Sequence, residues 1–266
     1  MKLERTFRRL YTIPDVHGRL DLLDLALEKL DADGYDSKQD LLVFLGDFID
    51  RGPDSKGVVD TLIRLRDADP ETVIVLRGNH EDFPIDLYVL NKPQAHDAWY
   101  RNGGWNTEQS YPNGRMSEEH LRFLGSLPYS VECQGFFFSH APVPRENRRN
   151  GSSAHDHTQA CGLKRSPYNV YELTWHYVGP ECEKPGAYMD VHEGPKSDNG
   201  EGDDFLIGLC GHIHRGPSAH DVRIFKQYRM LDSGAGCYPN SPLAVHECLS
   251  NRTFYARPQD LPVDQS

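Results

Sequence analysis

Short apolar runs alternate with amphipathic stretches through the first third of the chain. Arg9-Leu10-Tyr11-Thr12-Ile13 reads as a strand cut by Pro14, and Leu20, Leu23, Leu27 and Leu30 then recur at helical spacing. A second strand is predicted over residues 41–45, with Val58, Val59, Leu62 and Leu65 marking the helix after it. A third covers 72–76, followed by a helix from Asp82. Repeated strand–helix units imply parallel strands whose loops gather at one end. Residues 135–139 and 205–210 read as further strands, and 222–225, 228–231, 242–246 and 253–256 as shorter ones. The prediction is an α/β protein, two mixed sheets packed together with helices outside.

Between His140 and Phe205 the pattern lapses into a long polar segment with little periodicity. Residues 141–204 are therefore expected to form a long loop or lid inserted in a single domain spanning 1–266. The cluster Arg145-Glu146-Asn147-Arg148-Arg149 within it is either a solvated loop or a collector of anionic substrate. His155-Asp156-His157 has a ligand-like composition, but no strand precedes it, and an exposed turn is the expectation.

Composition removes several classes of function. A formal net charge of -11 over 266 residues argues against general nucleic-acid binding, which needs a broad basic face. An anionic substrate requires cations focused in one cleft. The six cysteines form no CxxC pair, as expected of reduced thiols, and Cys133 and Cys210 sit in apolar runs suited to core packing. Neither an apolar leader nor a run of membrane-spanning length is present in this sequence, so a soluble cytoplasmic protein is expected. Oligomeric state is left open.

Chemistry concentrates where strands end. Asp15 and His17 follow the first, Asp47 and Asp50 with Arg51 the second, and Asn79 and His80 the third. His140 closes the 135–139 run, and His212 and His214 follow the 205–210 run. Loops beyond strand carboxyl ends are where open α/β sheets bind ligands. Asp, Asn and His supply hard oxygen and borderline nitrogen donors suited to Mn, Fe, Zn or Co. Asn79 and His80 are neighbours, so in extended backbone they would point opposite ways; spacing alone does not say which is ligand and which is acid.

In this order, Asp15-x-His17-Gly18, Gly46-Asp47-x-x-Asp50-Arg51-Gly52, Gly78-Asn79-His80-Glu81, His140 and Gly211-His212-x-His214 resemble the motifs of calcineurin-like metallophosphoesterases. The Arg51-Gly52 and Glu81 extensions point to the PPP-type phosphoprotein phosphatases. Asn102-Gly103-Gly104, with Thr107 and Ser110-Tyr111 after it, is similar to a segment of bacterial and phage members and of symmetrical diadenosine tetraphosphatases. The resemblance runs from about Tyr11 to about Glu247, Leu231-Asp232-Ser233-Gly234-Ala235 looking like the family's closing strand.

The resemblance implies a four-layer αββα sandwich with a dinuclear metal centre. Asp15 and His17 would hold the first metal, Asp47 would bridge, and Asn79, His140 and His212 would complete the second. His214 is either a further ligand or a residue supporting one. Two ions about 3.5–4 Å apart clamp a phosphoryl group, and a bridging hydroxide attacks phosphorus in line. His80, oriented by Asp50, would protonate the leaving oxygen, and Arg51 with Asn79 would bind the phosphate. The resemblance thus implies a phosphoprotein phosphatase acting on Ser/Thr phosphate, with Tyr phosphate left open. Its alternative is a symmetrical dinucleotide polyphosphate hydrolase using the same metals on an anhydride. A non-catalytic phospho-ligand module is disfavoured because every core ligand position is filled.

Three departures stand out. Pro14 occupies a position usually glycine, and His140 is followed by Ala141-Pro142 instead of a glycine pair. Thr174-Trp175-His176-Tyr177 lacks the phosphate-binding arginine that often follows such a tryptophan. Trp99, Trp105 and Tyr111 surround the Gly103-Gly104 turn, where they either stack on a base or pack beneath a loop.

Overall fold

Strand β2 (Leu10–Ile13) lies beside β3 (Leu41–Phe44), and β3 beside β4 (Val73–Val75), all parallel, with Leu10 opposite Leu41 and Phe44 opposite Val75. Helix α1 (Leu20–Ala32) makes the first crossover and α2 (Ser55–Ala68) the second. The Asp54 carboxylate caps α2 by accepting the Gly57 N–H at 2.7 Å. In this computed structural model the described residues are 1–141, 207–212, 222–224 and 228–262. His214, Arg145, Trp175 and, beyond Ala141, the predicted 141–204 insertion lie outside them.

The strands β2, β3 and β4 belong to a five-stranded sheet of order β11-β10-β2-β3-β4, completed by β10 (Leu243–Glu247) and β11 (Arg252–Ala256) running antiparallel. A six-stranded sheet packs on it. Its members are β1 (Lys2–Leu3), β5 (Ser130–Cys133), β6 (Phe136–Ser139), β7 (Ile207–Cys210), β8 (Arg223–Ile224) and β9 (Tyr228–Met230), ordered β1-β5-β6-β7-β9-β8. Both sheets are mixed, as predicted, and helices pack outside.

Alternation along β3 shows why the strand is apolar throughout. Leu41, Val43 and Leu45 face the space between the sheets with Val131, Phe136, Phe138 and Leu209. Leu42 and Phe44 face the helices, meeting Leu22 and Leu23 of α1 and Val58 and Leu62 of α2. A strand covered on both faces reads as a continuous hydrophobic run.

One predicted boundary moves. Helix α3 begins at Asn79, three residues before the predicted start, and ends at Pro84, with a wider turn over Ile85–Val89 after it. The Glu81 carboxylate accepts the Gly78 N–H at 2.8 Å, satisfying a donor at the helix start. Helices α4 (Ala95–Arg101), α5 (Gly104–Ser110) and α6 (Glu118–Ser126), together with β1 and β5, are elements that periodicity did not identify.

Candidate metal centre and phosphate site

The parallel strands and β6 and β7 deliver nine predicted residues to one buried cluster at their carboxyl ends: Asp15, His17, Asp47, Asp50, Arg51, Asn79, His80, His140 and His212. Local backbone conformation aims them. Five of the eight non-glycine residues with positive φ among the described residues are His17, Asp47, Asp50, Arg51 and His212. Such left-handed positions persist where surrounding contacts over-determine them. Glu81 supplies some of those contacts, accepting the N–H groups of Asp47 at 2.9 Å, Phe48 at 2.8 Å and Gly78 at 2.8 Å. Burial and the Asp47 charge push the Glu81 carboxyl up to about 7, against the pull of those donors.

Two histidines have their outward nitrogen fixed by main chain. His17 Nδ1 donates to the Ile49 carbonyl at 2.9 Å, and His140 Nδ1 to the Leu45 carbonyl at 3.1 Å. A carbonyl only accepts, so Nδ1 carries the proton and, in the neutral ring, Nε2 is the nitrogen whose lone pair can face a cation in the cluster. Metal-binding histidines are commonly held this way.

His140 Nε2 lies 2.9 Å from Asn79 Oδ1, 3.1 Å from His212 Nδ1 and 3.4 Å from Asp47 Oδ1. Donors about 2.1 Å from a shared ion stand roughly 3.0–3.4 Å from one another, so each of these three atoms lies at a distance suited to sharing an ion with His140 Nε2. Opposite them, His17 Nε2 lies 3.7 Å from Asp47 Oδ2 and 3.9 Å from Asp15 Oδ2. Asp47 thus belongs to both halves. Donor atoms within 4.8 Å of one another form two groups that share it, His17–Asp47–His80 and Asp47–His140–His212.

Electrostatics agrees with a cation-binding role. Burial, then the neighbouring charge of Asp232, holds the Asp15 carboxyl well above its ordinary range. Burial would also raise Asp47, but His140 and His80 carry it well below. Burial would lower His140, yet Asp47 and Asp15 carry it up to about 9, while burial and His140 push His212 down to about 3. Buried carboxylates beside lone-pair nitrogens gain most from a positive ion between them.

Beside these donors lies a hydrogen-bonded His80–Asp50 pair. His80 Nδ1 is 2.6 Å from Asp50 Oδ2, and His80 Nε2 turns toward Arg51 Nη2 at 3.1 Å and Asp47 Oδ2 at 3.7 Å. Because α3 starts at Asn79, the neighbouring side chains of Asn79 and His80 diverge around a helical turn, one toward His140 and the other toward Asp50. Arg51 Nη1 reaches His17 Nε2 at 2.6 Å and Cys237 Sγ at 2.8 Å.

Residues 8–216 match the calcineurin-like phosphoesterase family. The chain belongs to that family. It is 32% identical over 131 residues to serine/threonine-protein phosphatase 1 of Salmonella typhimurium, an alignment covering 49% of this chain and 55% of the relative. The match therefore spans about half the length of each. A candidate diadenosine tetraphosphatase of known structure superposes with a TM-score of 0.61 at 18% identity, covering 97% of this chain and 96% of its own. The cold-active protein-tyrosine phosphatase of a psychrophilic Shewanella superposes at 0.56 and 14% identity, covering 94% and 81%. Both structures share this calcineurin-like fold.

Sequence reasoning missed several residues here. Asp232 is buried near Asp15 and directly follows a strand-like run, the rule that found the other carboxylates. Cys237, its thiol pushed up to about 12 by burial, carried no sequence signal. The aromatic alternatives resolve for two of the three residues. Trp99 is fully buried and Tyr111 bonds His120 Nδ1 at 2.7 Å, so both pack inside. Trp105, 54% exposed, lies beside Tyr100. Cys133 and Cys210 are core residues, as expected. Among the described residues, no helix is long and apolar enough to cross a membrane.

Proposed function

We propose that this chain is a metal-dependent phosphomonoesterase that removes phosphate from serine and threonine side chains of proteins. The observation supporting it most is that one buried cluster combines two donor groups sharing Asp47, a phosphate-sized cation in Arg51, and the His80–Asp50 pair. Kinship at 32% identity with a bacterial serine/threonine phosphatase favours a protein substrate. The dinucleotide polyphosphate reading has support from the fold and from the Asn102-Gly103-Gly104 segment, which both classes share.

Asp15, His17 and Asp47 would hold one divalent ion, and Asp47, Asn79, His140 and His212 a second. Manganese is the first candidate, and iron, zinc and cobalt suit the same donors. When bound, the ions would supply Lewis-acid neutralisation of phosphate charge and a water acidic enough to ionise near neutral pH. The protein's own residues do the rest. Hydrolysis breaks the bond from phosphorus to the serine or threonine oxygen, and that oxygen needs a proton as it departs. His80, held through Nδ1 by Asp50, delivers it from Nε2 in its doubly protonated form, which requires the Arg51 guanidinium, 3.1 Å from that nitrogen, to turn from it to the phosphate. The Arg51 guanidinium forks onto phosphate oxygens as charge builds on them, and the Asn79 amide assists.

The test compares turnover of a phosphoserine peptide and of diadenosine tetraphosphate, with manganese added and after chelation. The proposal expects kcat/KM for the peptide to be higher by about tenfold or more, equivalent to about 1.4 kcal/mol of barrier, and both activities to vanish on chelation. A preference for the dinucleotide would replace this reading with its rival. Metal-independent turnover, or none of either substrate, would remove the metalloenzyme assignment.

A further inference from the structure

We propose that Trp99 and Thr107 are positioning residues, clamping one oxygen of Asp50 so that the other holds His80 in its proton-delivering orientation. The inference rests on the phosphomonoesterase reading and assigns a task to two residues outside the cluster.

Asp50 is fully buried, and its two oxygens have separate partners. Oδ1 accepts the Trp99 indole N–H at 2.8 Å and the Thr107 hydroxyl at 2.6 Å. Oδ2 meets His80 Nδ1 at 2.6 Å. An indole nitrogen only donates, so the Trp99 bond has a fixed sense. Thr107 is oriented in turn. Its oxygen accepts the Asp50 N–H at 2.8 Å and lies 2.9 Å from Ser55 Oγ, leaving its own proton for Oδ1. With two donors on Oδ1, Oδ2 is the acceptor left for His80 Nδ1–H. His80 Nε2 then faces the cluster.

Both donors come from one unit. Trp99 sits on α4 and Thr107 on α5, and the indole fills the space above Gly104, where a Cβ would meet its ring at 2.5 Å. The connecting Gly103 carbonyl accepts the Arg51 N–H at 3.2 Å, and Asn106 Nδ2 donates to the Arg51 carbonyl. The α4–α5 pair therefore holds the Asp50–Arg51 loop by both backbone and side chain. Packing alone would be served by any large aromatic at 99. A donor aimed at the carboxylate is a more specific requirement.

A proton donor matters when the leaving oxygen is basic, and little when the leaving group departs as a stable anion. Trp99→Phe and Thr107→Val should each lower kcat by about tenfold on phenyl phosphate and less than about twofold on 2,4-dinitrophenyl phosphate, with KM changed less than about twofold on either. Thr107→Ser, which restores the hydroxyl, should recover most of the loss. Equal losses on the two substrates, or none on either, would overturn the proposal.

A second measurement does not depend on turnover. In 15N-labelled protein the His80 Nδ1–H resonance, assigned by its disappearance in His80→Asn, should move or broaden in Trp99→Phe and in Thr107→Val. An unmoved resonance would overturn the clamp. Loss of the phosphomonoesterase reading would instead show as wild-type protein inactive on both esters with the resonance still responding.

Discussion

At the scale of single residues, two glycines show how little room the cluster leaves. A Cβ on Gly78 would stand 2.1 Å from Asp47 Oδ1, and one on Gly211 would stand 2.0 Å from Asp15 Oδ1. Backbone strain is not the issue at Gly78, whose φ is -95. The carboxylates lie directly against these backbones, so the smallest side chain would push them out of place. Gly78→Ala and Gly211→Ala should weaken manganese binding by at least about tenfold, the scale of a disturbed metal shell, while circular dichroism stays native. Calorimetric titration checks this, and unchanged affinity would argue that neither carboxylate binds the ion.

At the scale of elements, the site depends on how α5 meets the Asp50–Arg51 loop. Gly103 has φ +97, and a Cβ there would meet Arg51 N at 2.8 Å and Arg51 Cγ at 2.9 Å. Gly103→Ala combines a left-handed alanine with a backbone clash. We expect a cost of about 1–2 kcal/mol in chemical denaturation and a larger proportional loss of kcat/KM, because Arg51 and Asp50 move with the loop. The expected stability loss without any change in kcat/KM would mean that α5 does not position this loop.

At the scale of the molecule, a buried polar contact joins the two sheets. Arg229 of β9 donates through Nη1 to His246 Nε2 of β10 at 3.0 Å and to the Cys248 carbonyl at 2.6 Å, and His246 Nδ1 donates to Thr253 Oγ1 at 2.8 Å. Arginine only donates, so Nε2 must keep its lone pair and His246 is neutral. Burial, then the Arg229 charge, pushes His246 down to about 3. The unfolded chain takes up this proton near pH 6.5, well above the folded value. Stability contributed by neutral His246 is therefore full above about pH 6.5 and is lost as pH falls toward 3, at up to about 1.4 kcal/mol per unit. Buried His17 and partly buried His212 are lowered too and act in the same sense. His246→Gln should reduce the slope of unfolding free energy between pH 6.5 and 4.5 in chelated protein. An unaltered slope would show that folding does not depress the His246 pKa, and would overturn the neutral, Arg229-bonded assignment.

Hydrophobic period and strand-end chemistry were enough to predict the β2–α1–β3–α2–β4 units, the mixed sheets and nine residues of the cluster, because each of those signals is local. A strand covered on both faces is apolar at every position, and the carboxylate or histidine that ends it is its immediate neighbour in sequence. Contacts between distant segments left no such trace. The Arg51–Cys237 contact spans 186 residues and the Trp99–Asp50 bond spans 49. Neither partner's local pattern announces the other. The choice between Asn79 and His80 was likewise undecided until α3 began at Asn79 and turned the two side chains apart. Local pattern in the chain was enough to say which chemical groups gather at the strand ends. What holds those groups in place emerged with the packing of elements against one another, because such packing, unlike periodicity, has no fixed spacing along the chain.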